Sequence, residues 1–229
     1  MSTLRLLSYN IRALRDDPEA VFRVIKAAEA NVVAIQEAPR FFRWRSTAAK
    51  IARRSGLVVV TGGRTAAGNL VLSGLEVTVD TARDVLFTRD PKLHLRGTAV
   101  AAMTLGGHRF KLAGTHLDLA EEPRVRHVGE LHAAADAVAD DDYPLIVAGD
   151  LNDDPGSRVW QGLSTRGQDA WAVAGTGDGI TSSVILPRRR IDAVFVDPRI
   201  TVRSAEVLNT PDVQIASDHR PLLVELELG

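Results

Sequence analysis

The feature that most restricts the fold of this chain is the alternation of short apolar strands with helices in both halves of the sequence. Strands are predicted where apolar runs are short and rich in β-branched residues, and helices where apolar residues recur at intervals of three and four. The predicted strands are 4–9, 32–35, 57–61, 70–72, 76–85, 95–105, 109–115, 145–148, 191–196, 200–207 and 221–228, and the predicted helices are 17–30, 43–54 and 123–138. Two mixed β-sheets packed face to face, with helices on the outer faces, satisfy this pattern.

Local signals indicate several boundaries. Asp17 followed by Pro18 predicts an N-cap and the first residue of a helix. The pair Gly106-Gly107 predicts a two-residue hairpin between the strands on either side. Residues 165–187 contain four glycines and are typical of a loop. The chain has 229 residues with no internal repeat or linker, so we expect a single domain over residues 1–229.

The composition excludes several kinds of protein. Apolar residues make up 45% and charged residues 25%, as in an ordinary globular domain. The absence of cysteine rules out disulfides, thiolate metal sites and cysteine nucleophiles. The net charge of −1 gives no overall attraction to nucleic acid, so we expect such binding to be weak at physiological salt. No signal peptide or membrane-spanning segment is predicted, so we expect a cytoplasmic protein. We also expect a monomer, and the excess of arginine over lysine suggests a bacterial source.

Polar residues recur at the ends of the short predicted strands. Each of them alone is an ordinary turn or capping residue. Strand ends are also where α/β folds assemble their sites, so the set as a whole predicts a functional site. Its members are Asn10, Glu37, His116, Asp150, Asn152, Asp192, Asp218 and His219.

The residue types in this set favour metal-assisted phosphate chemistry. Carboxylate and amide oxygens are hard ligands of the kind that Mg²⁺ prefers. A histidine whose ring is oriented by an acid is suited to proton transfer, or to stabilising a phosphate, at neutral pH.

Six short motifs contain these residues and occur in one order along the chain. They are Ser8-Tyr9-Asn10-Ile11, Gln36-Glu37, Thr115-His116-Leu117, Gly149-Asp150-Leu151-Asn152, Arg190-Ile191-Asp192 and Ser217-Asp218-His219-Arg220-Pro221. In this order the chain resembles the endonuclease/exonuclease/phosphatase superfamily, from residue 5 to residue 226. One such motif has little specificity, whereas six in order are specific.

The resemblance implies a four-layer α/β-sandwich and a hydrolase that needs Mg²⁺ or Mn²⁺ and acts on phosphoester bonds. It implies that Glu37 is the principal metal ligand, with Asn10 beside it holding the metal or the phosphate. Asp218 is expected to lie near the metal. Whether one metal or two act is left open.

The resemblance also implies catalytic roles. Asp150 is expected to position or deprotonate the attacking water, and Asn152 to orient the scissile phosphate. His219 is expected to contact a phosphoryl oxygen or act as a base, with Asp192 holding its other ring nitrogen. His116 belongs to the catalytic set, and its surroundings look more like those of deoxyribonuclease-type enzymes, sphingomyelinases and phosphatases than those of AP endonucleases.

Two arginines are candidates for binding substrate. Arg96 either grips a phosphate or is a solvent-exposed arginine of an edge strand. Arg190 ends the basic run 188–190, which lies beside the predicted site and is the stronger candidate for phosphate contact.

Residues 39–54 mix basic and aromatic side chains directly after Glu37. They either bind a nucleic-acid backbone or a phosphorylated head group, or form an amphipathic helix. In the second interpretation Phe42 and Trp44 pack inward and the arginines are solvated.

The leading hypothesis for function is a metal-dependent phosphodiesterase or nuclease that attacks phosphorus with an activated water. The alternative is a phosphomonoesterase or a phospholipase C-like enzyme acting on a small or lipid phosphate. A non-catalytic binding module of the same fold is disfavoured, because such a module has no need for the full set of acids, amides and histidines.

Overall fold

The computed structural model describes residues 1–182 and 189–229, which form two β-sheets with helices on both outer faces. The strands are β1 (Ser2–Asn10), β2 (Val32–Gln36), β3 (Val58–Gly63), β4 (Asn69–Ser73), β5 (Val77–Leu86), β6 (Gly97–Leu105), β7 (His108–His116), β8 (Leu145–Asp150), β9 (Gln168–Asp169), β10 (Gly175–Thr176), β11 (Asp192–Val196), β12 (Thr201–Val207) and β13 (Leu222–Leu228). The α-helices are α1 (Pro18–Ala27), α2 (Trp44–Ser55), α3 (Glu121–Asp136), α4 (Arg158–Ser164), α5 (Ala170–Ala174) and α6 (Pro211–Ala216).

Both sheets are mixed. The first has the strand order β10-β12-β13-β1-β2-β4-β3 and the second the order β5-β6-β7-β8-β11-β9. In the first sheet β1 pairs parallel with β2 and antiparallel with β13. In the second sheet β8 pairs parallel with β7 and antiparallel with β11. The prediction of two mixed sheets is therefore confirmed.

The apolar residues of each central strand divide between two cores, because successive side chains of a strand point to opposite faces. In β1, Leu4 and Leu6 belong to the core between the sheets. Leu7 and Tyr9 belong to a core shared with α1, α2 and α6. A third core joins the outer face of the second sheet to α3 and α4. Helices, sheet, sheet and helices are thus stacked in four layers, as expected.

The predicted helix and turn signals are confirmed where they can be checked. Asp17 caps α1, with its side chain accepting a hydrogen bond from the N–H of Ala20 at 3.0 Å, and Pro18 is the first helical residue. Gly106 and Gly107 both have positive φ and connect β6 to β7. Two such residues in sequence are what a type I′ hairpin turn requires.

Several short elements were not predicted. The expected loop at 165–187 contains β9, α5 and β10, and its residues 183–187 lie outside the described residues. Helices α4 and α6 have seven and six residues, too few for a periodic apolar pattern to stand out. Their caps, Ser157 and Thr210, are the signals that were available. Among the helices of the described residues, none has both the length and the apolar character that crossing a bilayer requires.

Close contact between β7 and β8 depends on a glycine. Gly149 is paired with Thr115, and a Cβ atom at Gly149 would lie 1.9 Å from the carbonyl oxygen of Thr115. Each of these residues directly precedes a residue of the predicted site. The spacing of β7 and β8 therefore sets the separation of His116 and Asp150.

We expect Gly149→Ala to lower the free energy of unfolding by about 2 kcal/mol or more, because the added methyl group forces the two strands apart. The measurement is urea denaturation followed by circular dichroism. Gly129→Ala is the matched control: Gly129 lies on α3, and no atom lies within 4 Å of the place that an added methyl group would take, so this change should stabilise the protein by about 1 kcal/mol. Equal effects of the two substitutions would contradict the packing argument.

Candidate active site

Three neighbouring strands of the second sheet place His116, Asp150 and Asp192 in one row. His116 ends β7 and lies opposite Asp150, which ends β8. Asp192 begins β11 and lies opposite Asp150 from the other side. All three side chains are buried. The pairing of the strands therefore brings together residues that are 34 and 42 positions apart in the sequence.

Asn10 connects this row to the first sheet. It ends β1, beside the end of β2, and Glu37 is the next residue after β2. The Asn10 Nδ2 donates to Oδ2 of Asp150 at 2.9 Å and lies 3.4 Å from Oε1 of Glu37. Its Oδ1 accepts from the N–H of Arg12 at 3.0 Å. Both ends of the amide are thus engaged, and Asn10 holds the two carboxylates near each other.

The backbone turns sharply where the strands reach the site. Glu37 after β2 has a φ of 53°, and Asn152 after β8 has a φ of 52°. The turn Arg12–Leu14 after β1 also has positive φ at each residue. A left-handed conformation costs a residue with a side chain roughly 1–2 kcal/mol. Such strain persists where the surrounding structure determines it, and it is often found at functional sites.

His219 is a charged histidine. Its Nδ1 lies 2.8 Å from Oδ2 of Asp192, and its Nε2 lies 3.7 Å from Oδ2 of Asp150. Burial lowers the pKa of His219, but the charge and hydrogen bond of Asp192, together with the charges of Asp150 and Asp218, outweigh burial and raise this pKa to about 10. The ring is therefore an imidazolium at neutral pH, with Nε2–H directed toward the Asp150 side.

His116 is a neutral histidine. Burial lowers its pKa to about 3; Asp150 opposes this shift and Arg96 adds to it. The Nε2 of His116 lies 3.0 Å from Nδ2 of Asn152, so the uncharged ring accepts a hydrogen bond from that amide. The same Nε2 lies 3.3 Å from Oδ2 of Asp150. Because this nitrogen carries no proton, the contact is not an ion pair.

Asn152 positions the groups around it. Its Nδ2 donates to His116 and, at 3.0 Å, to the carbonyl oxygen of Leu117, so both N–H bonds of the amide are used. Its backbone N–H donates to Oδ1 of Asp150 at 3.0 Å. Contact with a phosphate through Nδ2 would require one of these side-chain bonds to break.

Arg96 lies beside the row of acids, directly before β6. Its side chain is only 11% exposed, so the interpretation as a solvent-exposed edge arginine is wrong. Burial lowers the pKa of Arg96, and the charges of Asp150, Asp118 and Glu37 oppose this shift. Its Nε lies 3.9 Å from Oδ2 of buried Asp118, too far for a hydrogen bond.

Two predicted residues are directed elsewhere. The Nη1 of Arg190 donates to Asp169 at 3.0 Å, and its guanidinium lies over the ring of Trp160. Asp169 pairs with β11 three residues beyond Asp192, roughly 10 Å along the strand, so Arg190 does not reach the site. Asp218 pairs with Arg12, with 3.3 Å between Oδ2 and Nε. In the basic run 188–190, Arg189 pairs with Asp154, and Arg188 lies outside the described residues.

The sequence patterns missed two residues that hold the site in place. Thr181 is fully buried, and its Oγ1 accepts hydrogen bonds from the N–H groups of Asp192 and Ile191 at 3.0 and 3.2 Å. The Oγ of Ser217 donates to the carbonyl oxygen of Asn10 at 2.8 Å, which ties the C-terminal motif to β1. Ser217 stands inside a recognised motif, whereas nothing in the sequence around Thr181 signals its role.

The arrangement of acids is suited to a cation. The ligand atoms of Asp150, Asp192 and His219 lie within 4.8 Å of one another and form a group that could hold a metal ion. A metal at Nδ1 of His219 would have to displace the proton shared with Asp192. Glu37, which is partly exposed and lies beside Asn10, supplies a carboxylate without that cost.

The family model for the endonuclease/exonuclease/phosphatase family matches residues 7–219. The chain belongs to this family. Its members are phosphoester hydrolases, and the match confirms the resemblance inferred from the motifs. A comparison with curated proteins gives no significant match.

Solved structures share the fold over the whole chain. A family member from Bacteroides vulgatus is 21% identical with a TM-score of 0.83, covering 100% of both chains. A mannosyl-6-phosphatase from Bacteroides thetaiotaomicron is 16% identical with a TM-score of 0.82, covering 98% of this chain and 100% of the other. TDP2 from D. rerio, in complex with a single-strand DNA product, is 17% identical with a TM-score of 0.78, covering 99% and 100%. At these identities the likeness establishes the fold.

We expect Asp192→Asn to lower the pKa of His219 by more than one unit, because Asp192 contributes the strongest of the interactions that raise it. The measurement is an NMR titration of the His219 ring in metal-free protein. In the unsubstituted protein the folded-state pKa of about 10 exceeds the ordinary value of 6.5. The stabilisation from the charged ring is therefore complete below pH 6.5 and is lost as the pH rises through 10.

Asp197→Asn is the control for this titration, since Asp197 follows β11 at the end opposite Asp192. The pKa of His219 should be unchanged in that variant. A His219 ring that titrates near 6.5 in the unsubstituted protein would contradict the assignment of a charged histidine.

Proposed function

We propose that this protein is a metal-dependent phosphodiesterase that cleaves nucleic acid with a water activated by Asp150. The observation that carries the proposal is the position of the Asp150 carboxylate. Asn10 holds it by a hydrogen bond of 2.9 Å, and a charged His219 lies on the same side, 3.7 Å away. A proton acceptor and a cationic hydrogen-bond donor thus stand next to each other, as phosphoester hydrolysis requires.

The donor set fits a hard divalent cation such as Mg²⁺ or Mn²⁺. Asp150 and Asp192 belong to one group of possible ligands, and Asn10 links Glu37 to Asp150; the positive charges in this part of the protein are those of His219, Arg96 and Arg40. Glu37, with Asp150 beside it, would hold the metal, which when bound supplies Lewis-acid stabilisation of the phosphoryl oxygens. A metal role for Asp218 requires that its ion pair with Arg12 opens.

Side chains of the protein carry out the proton transfer and stabilise the phosphate. Asp150 accepts a proton from the attacking water while the oxygen of that water bonds to phosphorus. The bond from phosphorus to the leaving oxygen breaks, and its electron pair stays on the leaving oxygen. His219 donates its Nε2–H to a non-bridging phosphoryl oxygen, and Asp192 keeps that ring charged and oriented. Asn152 fixes the position of Asp150 through its backbone N–H, and neutral His116 accepts a hydrogen bond from the side chain of Asn152. Arg96 offers a second positive charge to the phosphate.

Two structural relatives are consistent with different substrates. TDP2 with its single-strand DNA product supports a phosphodiester or nucleic-acid substrate. The mannosyl-6-phosphatase supports the alternative of a phosphomonoesterase acting on a small phosphate. The basic and aromatic residues that follow Glu37 favour the first of these.

We expect Asp150→Asn to lower the turnover of bis(4-nitrophenyl) phosphate in Mn²⁺ by at least about 100-fold, because an amide cannot accept the proton of the water. Asp142→Asn is the control, since Asp142 is exposed and remote from the row of acids. Circular dichroism establishes that both variants fold. Turnover close to that of the unsubstituted protein would rule out Asp150 as the base.

We expect EDTA to abolish turnover of the same diester, and Mg²⁺ or Mn²⁺ to restore it, because the site depends on a cation to offset its carboxylates. Assays of single-stranded DNA, RNA, 4-nitrophenyl phosphate and sphingomyelin under Mn²⁺ separate the proposed activity from the alternatives. Activity that persists in EDTA rejects metal dependence, and faster hydrolysis of the monoester than of every diester favours the phosphomonoesterase.

A further inference from the structure

Residues 41–45 form an exposed aromatic and basic segment next to the candidate metal ligand. Phe41 and Phe42 are 77% and 91% exposed, so the expectation that Phe42 packs inward is wrong. Trp44 is anchored instead: a Cβ atom on Gly63 would lie 2.5 Å from its indole ring, which therefore rests on the backbone at Gly63. Two exposed phenyl rings thus stand beside a fixed indole.

The same segment lines a cavity together with Arg64. The cavity has a volume of about 480 Å³, and its walls are residues 41–45 and Arg64, which we call the aromatic–basic surface. The guanidinium of Arg45 lies over the ring of Trp44 at 4.4 Å. Arg43, Arg45 and Arg64 are all exposed. The aromatic–basic surface is therefore shallow and concave, with aromatic rings on its faces and guanidinium groups at its edges.

All charged residues in the part of the sequence that contains the aromatic–basic surface are positive. Residues 38–75 contain seven arginines and lysines and no aspartate or glutamate, in a chain whose net charge is −1. Local clustering therefore provides the attraction to a polyanion that the overall charge does not.

The surface is connected to the candidate active site. Arg40 lies between the two: its Nη1 donates to the carbonyl oxygens of Ala67 and Leu95, and its guanidinium lies 5.7 Å from the centre of the Phe41 ring. Its charge also acts on Arg96 and His116. Phe41 is four residues after Glu37, so the two are at most roughly 14 Å apart along the chain.

We propose that the aromatic–basic surface binds a single-stranded segment of nucleic acid next to the phosphodiester being cleaved; this inference rests on the proposed function. Each nucleotide of a single strand offers one flat base and one negative charge, which matches the mixture of rings and guanidinium groups. A duplex keeps its bases stacked inside and cannot present them to Phe41 and Phe42. The exposed rings of Phe41 and Phe42 could also enter a bilayer, and binding to vesicles distinguishes this alternative.

The test is the binding of a fluorescein-labelled oligothymidylate to the full chain in EDTA, measured by fluorescence anisotropy. We expect the double variant Phe41→Ala/Phe42→Ala to bind about tenfold or more weakly, because each lost stack of a base on an aromatic ring has an effect of that order. For Arg43→Ala/Arg45→Ala, the slope of log affinity against log salt should fall by about 1.4, since each phosphate contact contributes roughly 0.7.

Leu75→Ala and Arg109→Ala are the controls. Leu75 is 87% exposed and lies after β4, and Arg109 is exposed at the end of β7 opposite His116. Neither should change the affinity. Equal affinity of the Phe41→Ala/Phe42→Ala variant and the unsubstituted protein would overturn the proposal. Binding to vesicles of phosphatidylcholine and phosphatidylserine, without binding to the oligonucleotide, would overturn it as well.

The proposed function is tested separately, by hydrolysis of bis(4-nitrophenyl) phosphate, a substrate too small to need this surface. If the oligonucleotide binds through the aromatic–basic surface but no diester is hydrolysed, the surface is supported and the proposed activity fails. If the diester is hydrolysed but the surface variants bind the oligonucleotide normally, the activity stands and this inference fails.

Discussion

The site depends on the register of three strands, β7, β8 and β11. Because His116 and Asp192 both lie opposite Asp150, any slip by one residue would turn one of these side chains to the other face of the sheet. Gly149 allows β7 and β8 to approach closely enough for this pairing. Asn10 then crosses from the first sheet to the same carboxylate, so the packing of the two sheets is tied to the geometry of the site.

Two histidines beside one carboxylate, His116 buried and His219 partly exposed, take opposite charge states. Burial acts against the charged form of both rings. His219 has a second acid, Asp192, in direct hydrogen-bond contact, whereas His116 has Arg96 nearby and a hydrogen bond from Asn152. The two rings thus differ in the charges and hydrogen bonds that surround them. One histidine is therefore charged, and the other is neutral and accepts a hydrogen bond from Asn152, without any difference in residue type.

Residues at strand ends were predictable because their positions follow from the strands themselves. Asn10, Asp150 and Asp192 were found in this way, and their proximity followed from the family resemblance. Arg190 and Phe42 were not predictable, since the direction of a long or aromatic side chain depends on partners distant in sequence. Arg190 pairs with Asp169, 21 residues away, and nothing in the sequence indicates this pairing. The short helices were missed because their tertiary contacts, and not their own periodicity, stabilise them.

The absence of acidic residues from 38–75 affects how the protein approaches a charged partner. This segment carries a formal charge of +7 and the rest of the chain −8. Some of this charge is paired within the fold, as Arg54 is with Glu19, whereas Arg43, Arg45 and Arg64 are exposed together on the aromatic–basic surface and attract a polyanion before any contact forms. The isoelectric point describes only the sum of these charges, and the orientation of encounter depends on their separation.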